Sequence, residues 1–166
     1  MTAAPSTLAD ALIAAGPAPE YAEKLALYGQ FVGAWSMDAV MHADDGQRHE
    51  AKGNIRFGWV LGGRAVQDVW ILPGFFHGTT LRVYDPGQDA WHIRWNDPIK
   101  QYYTHQIGRA EGWDIVQHGK LDDGTAIRWR FTEITPDSFH WIGDRSRDDS
   151  ASWQVQADFR AKRIKA

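Results

Sequence analysis

Three histidines, His92, His105 and His118, recur thirteen residues apart within the stretch from Trp91 to Gly119. Imidazole is the side chain whose ordinary pKa lies nearest neutrality, so it can move a proton or ligate a metal. Acid–base chemistry without a metal needs such a histidine, a carboxylate or tyrosine to orient it, and a cation to steady developing negative charge. His92 and His105 can transfer protons, Tyr103 can position or donate, and Arg94 can hold an anionic or enolate oxygen. Asp68, within Val66-Gln67-Asp68-Val69-Trp70, joins them if it points inward beside Trp70. Zinc also accepts three imidazoles and keeps a position for water. No His-x-His or His-x-x-x-His spacing supports that reading, and a regular meander makes equal intervals by default, so neither a metal nor a cofactor is assigned.

Hairpins must bring these residues together. With Pro98-Ile99 as a two-residue turn, His92 faces His105. With Glu111-Gly112 as the next, His105 faces His118. A turn at Asp123-Gly124 then sets Trp129 opposite His118, and one at Pro136-Asp137 sets His140 opposite Glu133. One face would carry His92, Arg94, Tyr103, His105, His118, Trp129 and Phe131. The other would carry Trp91, Ile93, Trp95, Trp113, Ile115, Arg128 and Arg130. Hydrophobicity alone turns the second face inward, but that buries both arginines. The expectation favours the first face inside, as a polar-centred cavity with aromatic walls. Tryptophans left outside would then imply a homo-oligomer. One extra loop residue inverts everything downstream.

The wider pattern supplies enough strands for this. From Phe31 onward the alternation has period two, with about ten strand candidates near 31–43, 49–60, 64–72, 79–85, 90–97, 101–107, 113–119, 125–133, 138–144 and 152–161. Short turn signals between them, such as Asp45-Gly46, Gly62-Gly63 and Asp85-Pro86-Gly87, make an antiparallel meander. A meander of ten strands leaves two exposed edges unless it closes, and a closed barrel has room for one small ligand. Residues 1–30 read as a helical segment set apart from the barrel of residues 31–166. Ser6 or Thr7 caps a first helix with Asp10 following, Gly16-Pro17 breaks it, and Pro19 opens a second carrying Tyr21, Leu25 and Tyr28. These helices would plug or lid one end.

The composition limits the function classes. The chain has 166 residues, a net charge of −3 and no cysteine. A basic patch for nucleic acid is lacking, and thiol nucleophiles and cysteine–metal sites are excluded. No Walker, dinucleotide or Gly-x-Ser-x-Gly pattern occurs. No apolar run reaches the roughly 18 residues of a membrane span, and the N-terminus has no basic region before its apolar run. A cytoplasmic protein is expected. Nine tryptophans point to an aromatic cavity, a Trp-rich core or an interface.

Phe31-Val32-Gly33-Ala34-Trp35 opens the first strand with a Gly-x-Trp element. It resembles that of lipocalins and other calycins. Val60-Leu61-Gly62-Gly63-Arg64 and the segment from Phe131 to Trp141, which includes Thr135-Pro136-Asp137-Ser138-Phe139, resemble a bacterial lipocalin-like family of unknown function. The resemblance covers nearly everything after residue 30 and implies a calycin-type barrel with a small-molecule cavity. It implies no reaction. The Gly-rich first strand of haem-binding relatives is absent, with Ser36-Met37-Asp38-Ala39 in its place. The expected ligand is small, largely apolar and aromatic, held by Trp35, Phe57, Trp59, Trp70, His118, Trp129 and Phe131. The expected activity is cofactor-independent lyase or isomerase chemistry on His92, His105, Tyr103, Arg94 and Asp68. The alternatives are a non-catalytic carrier and a haem or metal protein.

Overall fold

The computed structural model describes residues 4–166. Ten strands form one closed antiparallel barrel: β1 Gly33–His42, β2 Arg48–Val60, β3 Ala65–Leu72, β4 Phe76–Asp85, β5 Ala90–Asp97, β6 Tyr102–Glu111, β7 Asp114–Lys120, β8 Ala126–Thr132, β9 Ser138–Ser146 and β10 Gln154–Arg163. Each strand pairs with its neighbours in sequence, and β10 returns to pair with β1. The ten expected strands and their closure into a meander are therefore observed. Closure leaves no unpaired sheet edge.

Two helices precede the barrel. Helix α1, Leu8–Leu12, starts at Thr7, whose hydroxyl accepts from the Asp10 amide while the Asp10 carboxylate accepts from the Thr7 amide. This reciprocal pair satisfies two donors that a helix start otherwise leaves open. Helix α2, Ala22–Gly29, follows a 3-10 turn at Pro19–Tyr21. The N-terminal segment is strapped to the β2–β3 turn by backbone bonds from Ala14 to Trp59, Leu61 to Leu12 and Ala18 to Gly63, each 2.9 Å. Gly63 sits at φ 77°, and a Cβ there would lie 2.2 Å from the Gly16 carbonyl oxygen. Only glycine permits that approach. Among the described residues no helix is long and apolar enough to cross a membrane.

Helix α2 seals one end. Its Leu25 and Tyr28 are buried, and the Tyr28 ring meets Trp91 edge-on at 4.9 Å. The Tyr28 hydroxyl donates to Gln117 Oε1 at 2.9 Å. Below it, Phe31 stacks on Phe131 at 4.8 Å and meets Phe139 at 5.1 Å. Trp35 is fully buried and donates from Nε1 to the Phe31 carbonyl at 2.7 Å. The Arg163 guanidinium covers the Trp35 ring from outside at 4.2 Å and donates to the carbonyls of Gln30, Val32 and Pro136. The Gly-x-Trp element thus ties the start of β1 to the end of β10.

Four hairpin registers differ from those expected. The β5–β6 connection spans residues 98–101, so Arg94 rather than His92 faces His105. The β6–β7 turn is Gly112-Trp113, and Ile107 faces His118. Both shifts are by an even count and keep the faces as drawn. The β7–β8 loop shifts by an odd count, so Gln117 faces Trp129 and His118 faces Arg128. The β8–β9 loop shifts by an odd count as well, and Thr132 rather than Glu133 faces His140. Because side chains alternate along a strand, the odd slip at β7–β8 moves Trp129 and Phe131 to the face of Trp91 and sends Arg128 and Arg130 to the other. The conflict over buried arginines disappears. The tryptophan face is the inside, contrary to the expected polar-centred arrangement.

Phe131 packs between α2 and the barrel floor with no exposed surface to speak of. Phe131→Ala should cost about 3–5 kcal/mol. Urea unfolding followed by circular dichroism should show a lowered midpoint, with the unfolding slope unchanged.

Candidate functional site

The end of the barrel opposite α2 is open. Its turns join β1–β2, β3–β4, β5–β6, β7–β8 and β9–β10. A cavity of about 330 Å³ enters there. Its walls include Trp70 on β3, Phe76 on β4, Trp95 on β5, Trp129 on β8, Trp141 on β9 and Phe159 on β10. Glycines let the rings lie along the wall. A Cβ at Gly78 would fall 2.4 Å from the Trp95 ring, and one at Gly143 would fall 2.7 Å from the Trp141 ring. Trp141 stacks on Phe159 at 4.9 Å with the planes 12° apart, and its edge meets Trp129 at 5.4 Å. Small residues opposite large rings thus leave an aromatic slot in place of a filled core.

The mouth is polar and nearly neutral in charge. Lys100, Arg145 and Arg147 stand with Asp97 and Asp123. Asp97 Oδ1 accepts the backbone amides of Ile99 and Lys100, and Asp123 Oδ1 accepts that of Thr125, so both carboxylates are held by their own turns. Arg145 and Arg147 both pair with Asp44 of the β1–β2 turn. The two guanidinium donors beside the Asp44 carboxyl hold its pKa below the usual carboxylate range. Tyr102 also lines the cavity, and burial pushes its phenol above the ordinary value.

The residues expected to do chemistry are not in this cavity. His92, Arg94, Tyr103, His105 and His118 all point away from it, on the outer wall, and Tyr103 is 53% exposed. The physical reason is the alternation itself, since Trp91, Ile93 and Trp95 take the inward positions of β5. On the outer wall His92 and His105 do meet, Nδ1 to Nε2, at 3.2 Å. His118 pairs with Glu111 at 3.4 Å instead of joining them. Burial, then the neighbouring charges of Arg94 and His92, lower the His105 pKa.

Asp68 does point inward beside Trp70, at 1% exposure. It forms an ion pair with Arg82 and accepts the Thr80 amide at 2.9 Å. The Arg82 guanidinium lies 5.0 Å from the Tyr28 ring centre, with Phe57 and Phe131 on its other sides. Burial pushes the Tyr28 phenol far above its ordinary range. Asp68 is thus a partner in a buried ion pair between the cavity floor and the lid and does not line the cavity.

Of the aromatic residues expected to bind a ligand, Trp70 and Trp129 line the cavity. Trp35, Phe57 and Phe131 belong to the packed closed end, and Trp59 lies against Gly29 of α2. Sequence reasoning missed Phe76, Trp95, Trp141 and Phe159. Period-two alternation from Trp91 to Trp95 and from Phe139 to Trp141 carried that signal once the inner face was chosen correctly. Most tryptophans lie inside, and Trp113 alone is almost fully exposed, at 97%.

A closed ten-stranded antiparallel barrel with an aromatic cavity is thus the class of protein that the fold defines. Structures of like fold include the S-type phycobiliprotein lyase CPES from Guillardia theta, with a TM-score of 0.58 and 14% identity over 84% of this chain and 92% of that one. They also include Rv2717c from M. tuberculosis, with a TM-score of 0.59 and 13% identity over 90% of this chain and 99% of that one. At such identity the likeness is one of fold. No family model matches the sequence, and no curated protein matches it.

Removing one member of a buried ion pair strands the other charge in a low-dielectric interior. Arg82→Met should destabilise the fold by about 3–5 kcal/mol, and Asp68→Leu with Arg82→Met together should cost clearly less than Arg82→Met alone. Urea denaturation of the three proteins checks the order.

Proposed function

We propose that this barrel binds and carries one small, largely apolar aromatic molecule. The observation that carries the reading is the ring of six tryptophan and phenylalanine residues around a cavity of about 330 Å³ with a polar mouth. A volume of that size suits a compact organic ligand, and an apolar wall with a few polar groups is the usual make-up of such sites. Tryptophan and phenylalanine faces favour offset or edge-on stacking with a flat guest. The fold shared with a phycobiliprotein lyase supports a barrel that serves small-molecule chemistry.

Carriage fits better than lyase or isomerase catalysis. No histidine lines the cavity, Asp97 and Asp123 are pinned to turn amides, and the Asp144 carboxylate is held by Arg128 and Arg130. Acid–base chemistry inside would have to run on Asp97, Asp123 or Tyr102. A haem would find no imidazole on the cavity wall to serve as its axial ligand.

The test is titration with 8-anilinonaphthalene-1-sulfonate, read by its own emission and by tryptophan quenching. One site per chain is expected, with a dissociation constant of about 30 µM or tighter for a ligand of that size. Ala157 lines the cavity, and Ala157→Phe should fill it and weaken binding at least tenfold while the circular dichroism spectrum is kept. Saturation at several sites, or unchanged affinity in a folded Ala157→Phe protein, would remove the cavity as the binding site.

A further inference from the structure

The outer wall carries a second cluster, independent of the cavity. His92 on β5 and His105 on β6 lie diagonally across their hairpin, because Arg94 is the residue directly opposite His105. Their rings are stacked at 5.4 Å with the planes 21° apart, and His92 Nδ1 faces His105 Nε2 at 3.2 Å. Behind His92, Asp85 Oδ2 lies 3.0 Å from Nε2. Asp85 is itself held in place, since its Oδ1 accepts the amides of Gly87 and Gln88 and its Oδ2 accepts from the Gln88 side chain.

This order fixes the tautomer of His92. A carboxylate can only accept, so His92 donates Nε2–H to Asp85 and keeps a lone pair on Nδ1. That lone pair is aimed at His105 Nε2. With both rings neutral, His105 can donate its Nε2–H to it. When the His105 proton sits on Nδ1 instead, both facing nitrogens carry lone pairs, and a modest turn of each ring directs them at one ion. Two imidazole nitrogens at about 2.0–2.1 Å from one tetrahedral ion stand about 3.3 Å apart. The observed separation already matches that edge. A carboxylate behind a ligating imidazole is the usual outer support of such an ion, since it orients the ring and raises its basicity.

We propose that His92 and His105 form a binding site for one borderline divalent transition-metal ion, of the Zn2+ or Ni2+ class, with Asp85 as the positioning residue. Imidazole nitrogen suits these ions, whereas Mg2+ and Ca2+ prefer oxygen. Among the described residues no set of three or more His, Asp or Glu side chains converges on a metal position. The ion therefore takes two protein nitrogens, and water completes its shell. Arg94, across the hairpin from His105, places a cation beside the ion and keeps the affinity modest. The site is exposed, with His92 and Asp85 side chains about one third accessible, so the ion exchanges freely with solvent.

Isothermal titration of the full chain with Zn2+ near neutral pH tests this, with Mg2+ as the comparison ion. One Zn2+ per chain is expected, and no saturable Mg2+ heat. His92→Gln and His105→Gln should each weaken Zn2+ at least tenfold. Asp85→Asn should weaken it about tenfold by loosening the His92 ring. His118→Gln should leave it within about twofold. Ni2+ added to a labelled sample should broaden the His92 and His105 ring resonances before all others. The residues are on the surface, so retained circular dichroism confirms each variant as folded. Absence of saturable Zn2+ binding, Zn2+ binding that survives in the His92 and His105 variants, or loss in His118→Gln would each overturn the site.

Discussion

Pairing of β1 with β10 is the constraint on which the rest of this structure depends. It runs from Trp35 opposite Arg163 to Met41 opposite Ala157. Once this seam closes, every strand has two neighbours, and the pleat assigns each side chain to the inside or the outside. No local change of face remains available, because a slip in one hairpin propagates around the ring until a second slip or a bulge cancels it. One irregularity does occur in β10, between Val155 and Ala157. Trp35 sits at the seam with Arg163 over its ring, so the same residues that close the sheet also anchor the lid end.

The two ends of the barrel solve the packing problem in opposite ways. At the lid end, α2 delivers Leu25 and Tyr28 into a layer of Phe31, Trp35, Phe57, Phe131 and Phe139, and the space is filled. Below that layer the Asp68–Arg82 pair is charged and almost wholly buried. It survives because Thr80 supplies an amide to the carboxylate and three rings enclose the guanidinium. At the other end no element enters the barrel. Gly78, Gly143 and Ala157 leave room that neighbouring tryptophan rings only partly fill. The cavity follows from small residues placed among large ones, with the ion pair buried between the two regions.

The outer wall tells a different story about the same strands. The alternation that turns Trp91, Ile93 and Trp95 inward turns His92 and Arg94 outward. Asp144 is nearly inaccessible there, between Arg128 and Arg130, while Trp153 covers Arg128 at 4.2 Å. These surface networks satisfy charged groups that would have been costly inside. They also explain why a histidine row legible in the sequence does not line the cavity. A strand offers two chemically distinct faces from one run of residues.

Much of the architecture was legible in the amino-acid sequence. The period-two pattern after Phe31, the Gly and Asp punctuation, the Thr7–Asp10 cap and the Gly-x-Trp element determined ten strands, short antiparallel connections and a helical start, because all of these are local properties. The inward placement of Asp68 beside Trp70 was also legible, since two residues of one strand share a face. The identity of the inner face was not. It turned on the register at the loops after Lys120 and Thr132, each five residues long where a shorter turn was expected. Loop length there is a compromise between turn geometry and the fit of whole strands, and no local signal records it. Tertiary packing alone settled it, by turning Trp95, Trp129 and Trp141 inward together and leaving Arg128, Arg130, His92, His105 and His118 on the outer wall.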